Sequence, residues 1–139
     1  MIDFAHNPAG FEGIKEFLSH IDSPLKIGII AGTGDRRDED LRQLGKLAAE
    51  MFDYIILRQE KFLRGRTAEN ILSLLIEGIE SVEIDKKFEI VPNEIDAIKH
   101  SMSLAIPGAF IVALSDVIDN AIETVQNYQE QERNGLFNV

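Results

Sequence analysis

The stretch Leu25-Lys26-Ile27-Gly28-Ile29-Ile30-Ala31 decides the fold, because it is an almost continuous apolar run bounded by turn residues. Half-exposed strands alternate apolar and polar residues, whereas parallel strands covered by helices on both faces are apolar throughout. The run therefore predicts a buried parallel strand at the centre of a sheet. Gly32-Thr33-Gly34-Asp35 follows it and leads into Asp38-Glu39-Asp40, an acidic triplet that suits the positive end of a helix.

The same alternation of apolar runs and helical patterns extends in both directions from this central run. Further strands are predicted at the N-terminus and at 53–57, 88–91 and 109–114. Apolar residues at helical spacing predict four helices between the strands and a fifth that Ser115 caps. This order, with its short links, predicts right-handed crossovers. The expected fold is a single α/β domain over 1–139: a doubly wound, mostly parallel, Rossmann-like sheet with helices on both faces.

Each helical segment is predicted to bury one stripe of apolar side chains. The predicted stripes of the first four helices are Phe11, Ile14, Phe17, Leu18 and Ile21; Leu41, Leu44, Leu47, Ala48 and Met51; Ile71, Leu74, Leu75 and Ile79; and Ile95, Ile98, Met102 and Ala105. The charged segment 81–87 is expected to be a surface connection. Thr67 is the expected N-cap of the third helix.

Composition excludes several classes of protein. The formal net charge of −10 argues against nucleic acid as a main partner, because phosphate backbones are bound by clustered Lys and Arg. No apolar run approaches the roughly 20 residues that cross a bilayer, and no signal peptide is evident. The chain has no cysteine, and no His, Asp or Glu cluster has metal-ligand spacing. We therefore expect a cytoplasmic protein without a membrane segment or its own metal site.

Arginine is distributed unevenly in this acidic chain. Six of its seven arginines fall between positions 36 and 66: Arg36, Arg37, Arg42, Arg58, Arg64 and Arg66. Guanidinium forks match the geometry of phosphate and carboxylate oxygens. The cluster therefore indicates an anion-binding region, and a solvated surface with chance clustering is the alternative.

The N-terminal stretch combines a short strand, two polar side chains and a helix start. Asn7-Pro8 is a favourable beginning for a helix, because Asn caps orphan N–H groups and Pro fits the first helical position. Asp3 and His6 then lie at the carboxyl end of the strand. In open α/β sheets, ligands bind at that edge.

Three blocks of this sequence resemble the C-terminal domain of the Mur ligase superfamily, and its cyanophycin synthetase branch most of all. Asp3-Phe4-Ala5-His6-Asn7-Pro8 is similar to the family's D-[YFG]-[AG]-H-N-P signature. The segment 32–40 is similar to the branch's G-x-x-G-D-R-R-D-E-D loop, and Leu63-Arg64-Gly65-Arg66 also resembles that branch. The blocks occur in the family order, and the resemblance covers nearly the whole chain.

The resemblance implies a nucleotide-binding role for the first two blocks. It places Asp3 on the ribose of ATP and His6, the candidate catalytic residue, close to the reacting centre. Asn7 and the loop residues Asp35, Arg36 and Arg37 become candidates for ATP contacts or domain closure. For each of these residues an ordinary structural role remains open: capping for Asp3 and Asn7, hydrogen bonding for His6, and surface charge for Arg36 and Arg37.

The resemblance implies that the remaining candidates bind the incoming amino acid. Arg64 and Arg66 fall where some Mur ligases carry a D-N-P-R element, and an arginine fork can pair with an α-carboxylate. The sequence departs from D-N-P-R, so which arginine contacts the substrate stays open. Ser115 follows the last strand, where some relatives have a G-K-G loop that binds the same substrate. A simple helix cap is the alternative for Ser115.

The implied parent enzyme is an ATP-dependent amide ligase that joins an amino acid, such as arginine, to a carboxylate on an aspartate-rich acceptor. ATP and Mg²⁺ would be held mainly by a central ATPase domain, the expected partner of this one. Because this domain follows an N-terminal and a central ATPase domain in the superfamily, the resemblance implies a domain cut from a longer ligase. Since the chain lacks the G-x-x-x-x-G-K-[ST] motif, we expect it to be inactive alone. The alternative is a stand-alone, non-catalytic module that binds a nucleotide or an acidic metabolite.

Overall fold

The computed structural model describes residues 2–3, 7–32, 34, 36–59, 65–114 and 126. Strands and helices alternate along these residues as the sequence predicts. The elements are β1 Ile2–Asp3, α1 Pro8–Ser19, β2 Lys26–Ile30, α2 Asp38–Met51, β3 Tyr54–Leu57, α3 Ala68–Val82, β4 Lys87–Ile90, α4 Glu94–Leu104 and β5 Phe110–Leu114. The helix predicted after Ser115 lies outside the described residues.

The five strands form one sheet in the order β1-β5-β2-β3-β4, and every neighbouring pair is parallel. The predicted central strand is β2, which pairs with β5 on one side and β3 on the other. At its end Ile30 is level with Leu57 of β3. The prediction of a buried parallel strand in the middle of the sheet is confirmed.

Helices cover both faces of the sheet, so the doubly wound fold is confirmed. Helices α1, α2 and α3 share one face, where Phe11, Leu44 and Leu75 are fully buried. Helix α4 lies on the other face, where Ala97 and Ile98 pack with residues of β2, β3 and β5. Side chains of β2 alternate between these cores: Ile27 and Ile29 belong to the α4 side and Ile30 to the other. No described helix has the length and hydropathy of a membrane span.

Polar side chains cap the N-termini of three described helices, where they accept hydrogen bonds from backbone N–H groups that have no partner within the helix. Asn7 Oδ1 accepts from Gly10 N at 2.8 Å, and Thr67 Oγ1 accepts from Asn70 N at 3.0 Å. Asn93 Oδ1 accepts from Asp96 N at 3.1 Å. Helix α2 has no such side-chain cap and instead carries three acidic residues in its first turn. The predicted caps at Asn7 and Thr67 are confirmed.

Two glycines allow α2 and α3 to approach until their backbones touch. A Cβ atom on Gly45 would lie 2.0 Å from the carbonyl oxygen of Leu75, and one on Gly78 would lie 2.0 Å from that of Arg42. Real Cβ atoms essentially never come within 3.0 Å of a neighbouring atom. The close packing of this helix pair therefore depends on the absence of both side chains.

Three stripe residues that were predicted to be buried are exposed: Phe17, Ile95 and Ala105, the last of which lies just beyond the end of α4 at Leu104. Phe17 is 47% exposed and rests at the margin of the core, its ring centroid 6.4 Å from that of Phe110. Ile95 in the first turn of α4 is 39% exposed, whereas Ala97 and Ile98 of that helix are buried. The charged connection is also shorter than predicted, since α3 runs to Val82 and Lys87 begins β4.

Candidate functional site

The candidate site residues that the structure describes belong to one edge of the sheet. All five strands are parallel, so their carboxyl ends lie together. Asp3 ends β1 and is level with Leu114 of β5, while Asn7 caps the following helix. Arg36 and Arg37 follow β2, and Arg66 follows β3. The other candidates, His6, Asp35, Arg64 and Ser115, lie outside the described residues.

Arg66 joins the two arginine-bearing loops at this edge. Its Nη2 donates to the carbonyl oxygen of Arg36 at 2.8 Å and lies 2.7 Å from Asp38 Oδ1, while its Nη1 donates to Asn70 Oδ1 at 2.7 Å. The side chain is only 22% exposed. The structure thus brings the predicted blocks at 32–40 and 63–66 into contact through one guanidinium group.

Arg36 offers a hydrogen-bond donor for a ligand. Its side chain is half-buried, and its Nε is shielded from solvent without an acceptor among the residues that the structure describes. A shielded N–H without a partner is costly, so such donors normally meet an acceptor. An oxygen of a phosphate or carboxylate ligand would suit this cationic donor, and the Arg36 side chain would have to move to meet it because the Nε is shielded.

Arg37 is strongly exposed, with 76% of its side chain accessible. It precedes α2 and donates to both carboxylate oxygens of Asp40, at 3.1 and 3.2 Å. This bidentate hydrogen bond holds the pKa of Asp40 below its ordinary value. Arg37 thus neutralises one acid of the α2 start and stays accessible to solvent.

Gly32 serves helix packing at the end of β2. A Cβ atom there would lie 2.6 Å from the Leu41 side chain and 2.9 Å from that of Ile71. The glycine lets α2 and α3 close over the strand end. Asn7 similarly has a structural role, because its side-chain oxygen accepts from Gly10 N.

Sequence reasoning assigned no individual role to Arg58, the first residue after β3. Arg58 is only 4% exposed, which is exceptional for a charged side chain. Its backbone N–H donates to Ile30 O at the end of β2, and its Nη2 donates to Leu114 O at the end of β5, both at 2.9 Å. The sequence signal for a special role of Arg58 was its position directly after the buried strand β3. The partner strand, 56 residues away, could not be read from it.

A second group of titratable side chains lies apart from this edge. Tyr54, the first residue of β3, donates its hydroxyl to Glu89 of β4, and His100 of α4 contacts the same carboxylate. Burial, together with the bond to Glu89, raises the pKa of Tyr54 to about 12. The hydrogen bond from Tyr54, reinforced by His100, lowers the pKa of Glu89. Within the described residues, no set of three or more His, Asp or Glu is placed to hold a metal ion.

Comparison with known proteins gives this edge a context. The profile of the family described as Mur ligase, glutamate ligase domain, matches residues 1–117. A cyanophycin synthetase of Trichormus variabilis is 38% identical over 126 residues, which cover 91% of this chain. Those residues are 14% of that enzyme, so the chain spans about one seventh of the relative.

Solved structures of larger ligases share this fold. A UDP-N-acetylmuramoyl-L-alanyl-D-glutamate–2,6-diaminopimelate ligase superposes with a TM-score of 0.68 at 20% identity, covering 81% of this chain and 22% of its own. Mycobacterium tuberculosis folylpolyglutamate synthase complexed with ADP superposes with a TM-score of 0.63 at 25% identity. That match covers 89% of this chain and 29% of the synthase.

Proposed function

This chain belongs to the Mur ligase family as a glutamate ligase domain, and we propose that it closes over ATP and binds the incoming amino acid in a cyanophycin synthetase-like amide ligase. The observation that carries the proposal is the 38% identity to a cyanophycin synthetase along 91% of the chain. Described residues of all three blocks, namely Asp3, Arg36 and Arg66, lie at or after the carboxyl ends of parallel strands.

The nucleotide-binding role rests on the first two blocks. Asp3 would accept hydrogen bonds from the ribose hydroxyls, and Asn7 and Asp35 would line the same side of the cleft. Arg36 and Arg37 would contact phosphate oxygens or the closing domain. The shielded Arg36 Nε fits this assignment, because a phosphate oxygen would supply the acceptor that the described residues do not.

The amino-acid-binding role rests on Arg64, Arg66 and Ser115, with His6 as the catalytic residue near the reacting centre. Arg66 already holds Asp38 and Asn70. An α-carboxylate that bound Arg66 would therefore compete with Asp38 for its fork. Arg64 would supply a separate cation in the same loop, and Ser115 would contribute a hydroxyl from the end of β5.

In the parent ligase, ATP would activate a substrate carboxylate by phosphorylation, and the amine of the amino acid would displace phosphate to form the amide. Mg²⁺ and most ATP contacts would come from a central ATPase domain, since this chain lacks a P-loop. The contribution of this domain would be positioning and the exclusion of water when it closes. The isolated chain would then neither hydrolyse ATP nor ligate.

The test is nucleotide titration in the ligase that contains this domain, comparing Asp3→Ala with Asp85→Ala. Asp85 is an exposed acid next to the amino end of β4, at the opposite edge of the sheet. Loss of hydrogen bonds to a charged acceptor costs about 1.5–3 kcal/mol, so Asp3→Ala should weaken nucleotide binding by about 10- to 100-fold. Asp85→Ala should leave it unchanged. Equal affinities in both variants would remove Asp3 from the site.

A stand-alone binding module would behave differently from a ligase domain. Such a module would bind a nucleotide in isolation and would add nothing to a ligation reaction. Coupled measurement of ADP release and amide formation, with and without an upstream ATPase domain, separates these cases. Robust ADP release by this chain alone would contradict the ligase-domain proposal.

A further inference from the structure

We propose that Arg66 is a positioning residue for nucleotide binding; this rests on the proposed ligase function. Its guanidinium group holds the Arg36 peptide at the start of α2, and through it the Arg36 side chain that the proposed function places against ATP. This gives Arg66 a role besides the amino-acid contact that the family resemblance implies.

The three contacts of Arg66 hold the beginnings of two helices together. Its Nη2 donates to Arg36 O at 2.8 Å and lies 2.7 Å from Asp38 Oδ1, so it binds on both sides of Arg37, the N-cap of α2. Its Nη1 donates to Asn70 Oδ1 at 2.7 Å, in the first turn of α3. Because a guanidinium group is planar and rigid, these contacts fix direction as well as distance. Arg66 therefore sets the Arg36 peptide relative to the start of α3.

The Arg36 peptide is not held by α2 itself. The hydrogen bonds of this helix begin with Arg37 O, which accepts from Leu41 N at 3.1 Å, and the carbonyl of Arg36 precedes that ladder. Arg37 makes no side-chain cap, since its guanidinium group pairs with Asp40 instead. The hydrogen bond from Arg66 thus orients a peptide that the regular helix leaves free to turn.

The orientation of this peptide matters because Arg36 carries the shielded donor. Arg36 Nε has no acceptor among the residues that the structure describes, and the side chain has to turn before it can meet a phosphate oxygen. With the backbone held by Arg66, only side-chain torsions change in that turn. A donor on a held backbone loses less conformational freedom on binding than a donor on an unheld one, so its ligand binds more tightly.

A second arginine provides a matched comparison across the same two helices. Arg42 of α2 pairs with Glu77 of α3 at 2.7 Å, and both side chains are about half exposed. Exposed ion pairs of this kind contribute little to stability. Arg66 is less exposed, at 22%, and two of its three acceptors are an uncharged carbonyl and an amide oxygen. Both arginines join α2 to α3, but the Arg66 contacts also include the peptide of a candidate ATP ligand.

The experiment titrates a non-hydrolysable ATP analogue with Mg²⁺ into the parent ligase without the amino acid, so that a direct contact between Arg66 and that substrate contributes nothing. A hydrogen bond from a charged donor corresponds to about 10- to 100-fold in affinity, which is the loss expected for Arg36→Met. Arg66→Met keeps the Arg36 donor but releases its peptide, so we expect a smaller loss of about 3- to 30-fold. Arg42→Met should match wild type. Equal losses in Arg66→Met and Arg42→Met would show that only the helix pairing matters, and would overturn the proposal.

The double variant shows whether Arg66 acts through Arg36. Once Arg36→Met has removed the positioned donor, adding Arg66→Met should weaken binding by less than about twofold more. Two independent contacts with the nucleotide would instead multiply their losses, and that result would contradict a positioning role. Unchanged affinity in Arg36→Met would overturn the inference as well, because no donor would remain for Arg66 to position.

A second readout uses this 139-residue chain without the rest of the ligase. The Arg37 amide shares a peptide bond with the Arg36 carbonyl, so its ¹⁵N and ¹H chemical shifts report the hydrogen bond from Arg66. Arg66→Met should move this resonance, and Arg42→Met should not. An unmoved resonance overturns the inference even in a ligase that binds nucleotide.

Failure of this inference is distinguishable from failure of the proposed function. If the wild-type parent binds no nucleotide, the proposed function fails, while a moved Arg37 resonance still supports the hold on the Arg36 peptide. If Arg66→Met does not fold, Arg66→Lys decides, because lysine keeps the charge and loses the fork. A smaller loss of affinity in the same direction supports the proposal, and wild-type affinity with an unmoved Arg37 resonance overturns it.

Discussion

Replacing Gly45 with alanine should destabilise the domain, although alanine is the better helix former. Gly45 lies within α2, where alanine would gain about 1 kcal/mol of helix propensity. Its Cβ would, however, lie 2.0 Å from the carbonyl oxygen of Leu75 and 2.9 Å from the carbonyl carbon. Both atoms belong to the α3 backbone, so no side-chain rotation relieves the clash.

The size of the effect follows from how far the helices must move. Restoring even a 3.0 Å contact from 2.0 Å requires a shift of 1.0 Å between α2 and α3. Moving the two helices apart by 0.5–1 Å loses about a quarter to a half of the dispersion energy of each contact between them. Overpacked cores typically lose about 1–3 kcal/mol of stability, occasionally more. Because the clash is with rigid backbone, we take a cost of about 2–4 kcal/mol. After the propensity gain, the net loss is about 1–3 kcal/mol.

The assay is urea unfolding of this chain, with Gly13→Ala as the matched control. Gly13 is also inside a helix, but a Cβ atom there would meet nothing within 4 Å. Gly13→Ala should therefore raise the free energy of unfolding by about 0.5–1 kcal/mol. At about 3–4 °C per kcal/mol for a domain of this size, Gly45→Ala should lower the melting temperature by about 3–12 °C. Equal stabilisation by both substitutions would refute the backbone-contact argument.

Two further perturbations test local interactions. Thr67→Ala removes the acceptor for Asn70 N at the start of α3 and should cost about 1 kcal/mol of unfolding free energy. Thr67→Ser keeps the hydroxyl and should keep most of the stability. Urea midpoints that fall equally in both variants would reject the capping role. Tyr54 has a folded pKa raised from 10.0 to about 12, so its contribution to stability is complete below pH 10 and is lost as pH rises through about 12. Tyr54→Phe should reduce the fall in unfolding free energy between pH 10 and about 12 relative to wild type. An equal fall in both proteins would contradict the raised pKa of Tyr54.

The order of helices and strands was predictable because it depends on the local spacing of apolar residues. The apolar run at β2 and the helical spacing of residues such as Leu41, Leu44 and Leu75 each depend on neighbours within a few turns. Caps at Asn7 and Thr67 were predictable for the same reason, since donor and acceptor are three residues apart. The prediction that Phe17 is buried was wrong, because a stripe predicts which side of a helix faces the core but not where the core ends.

Long-range contacts were not predictable from the sequence. Gly45 and Gly78 matter only because α2 crosses α3 at those two positions, and no local pattern in either helix fixes the crossing point. Arg66 was expected to bind substrate, while its contacts with Asp38 and the Arg36 carbonyl depend on where the loop after β3 meets the start of α2. The resemblance to a family identified the loops, and the structure shows that Arg66 joins them.

Strand order also explains why the cleft should form beside β2. The chain proceeds from β2 to β3 through α2 and from β3 to β4 through α3, both on one face, and then reaches β5 through α4 on the other face. The direction of winding therefore reverses between β2 and β5, which are neighbours in the sheet. In open α/β sheets, ligands bind at the carboxyl edge beside such a switch point. Arg58 binds main-chain oxygens at both of these strand ends, so the residue that sequence reasoning left without a role lies where the topology predicts the ligand crevice.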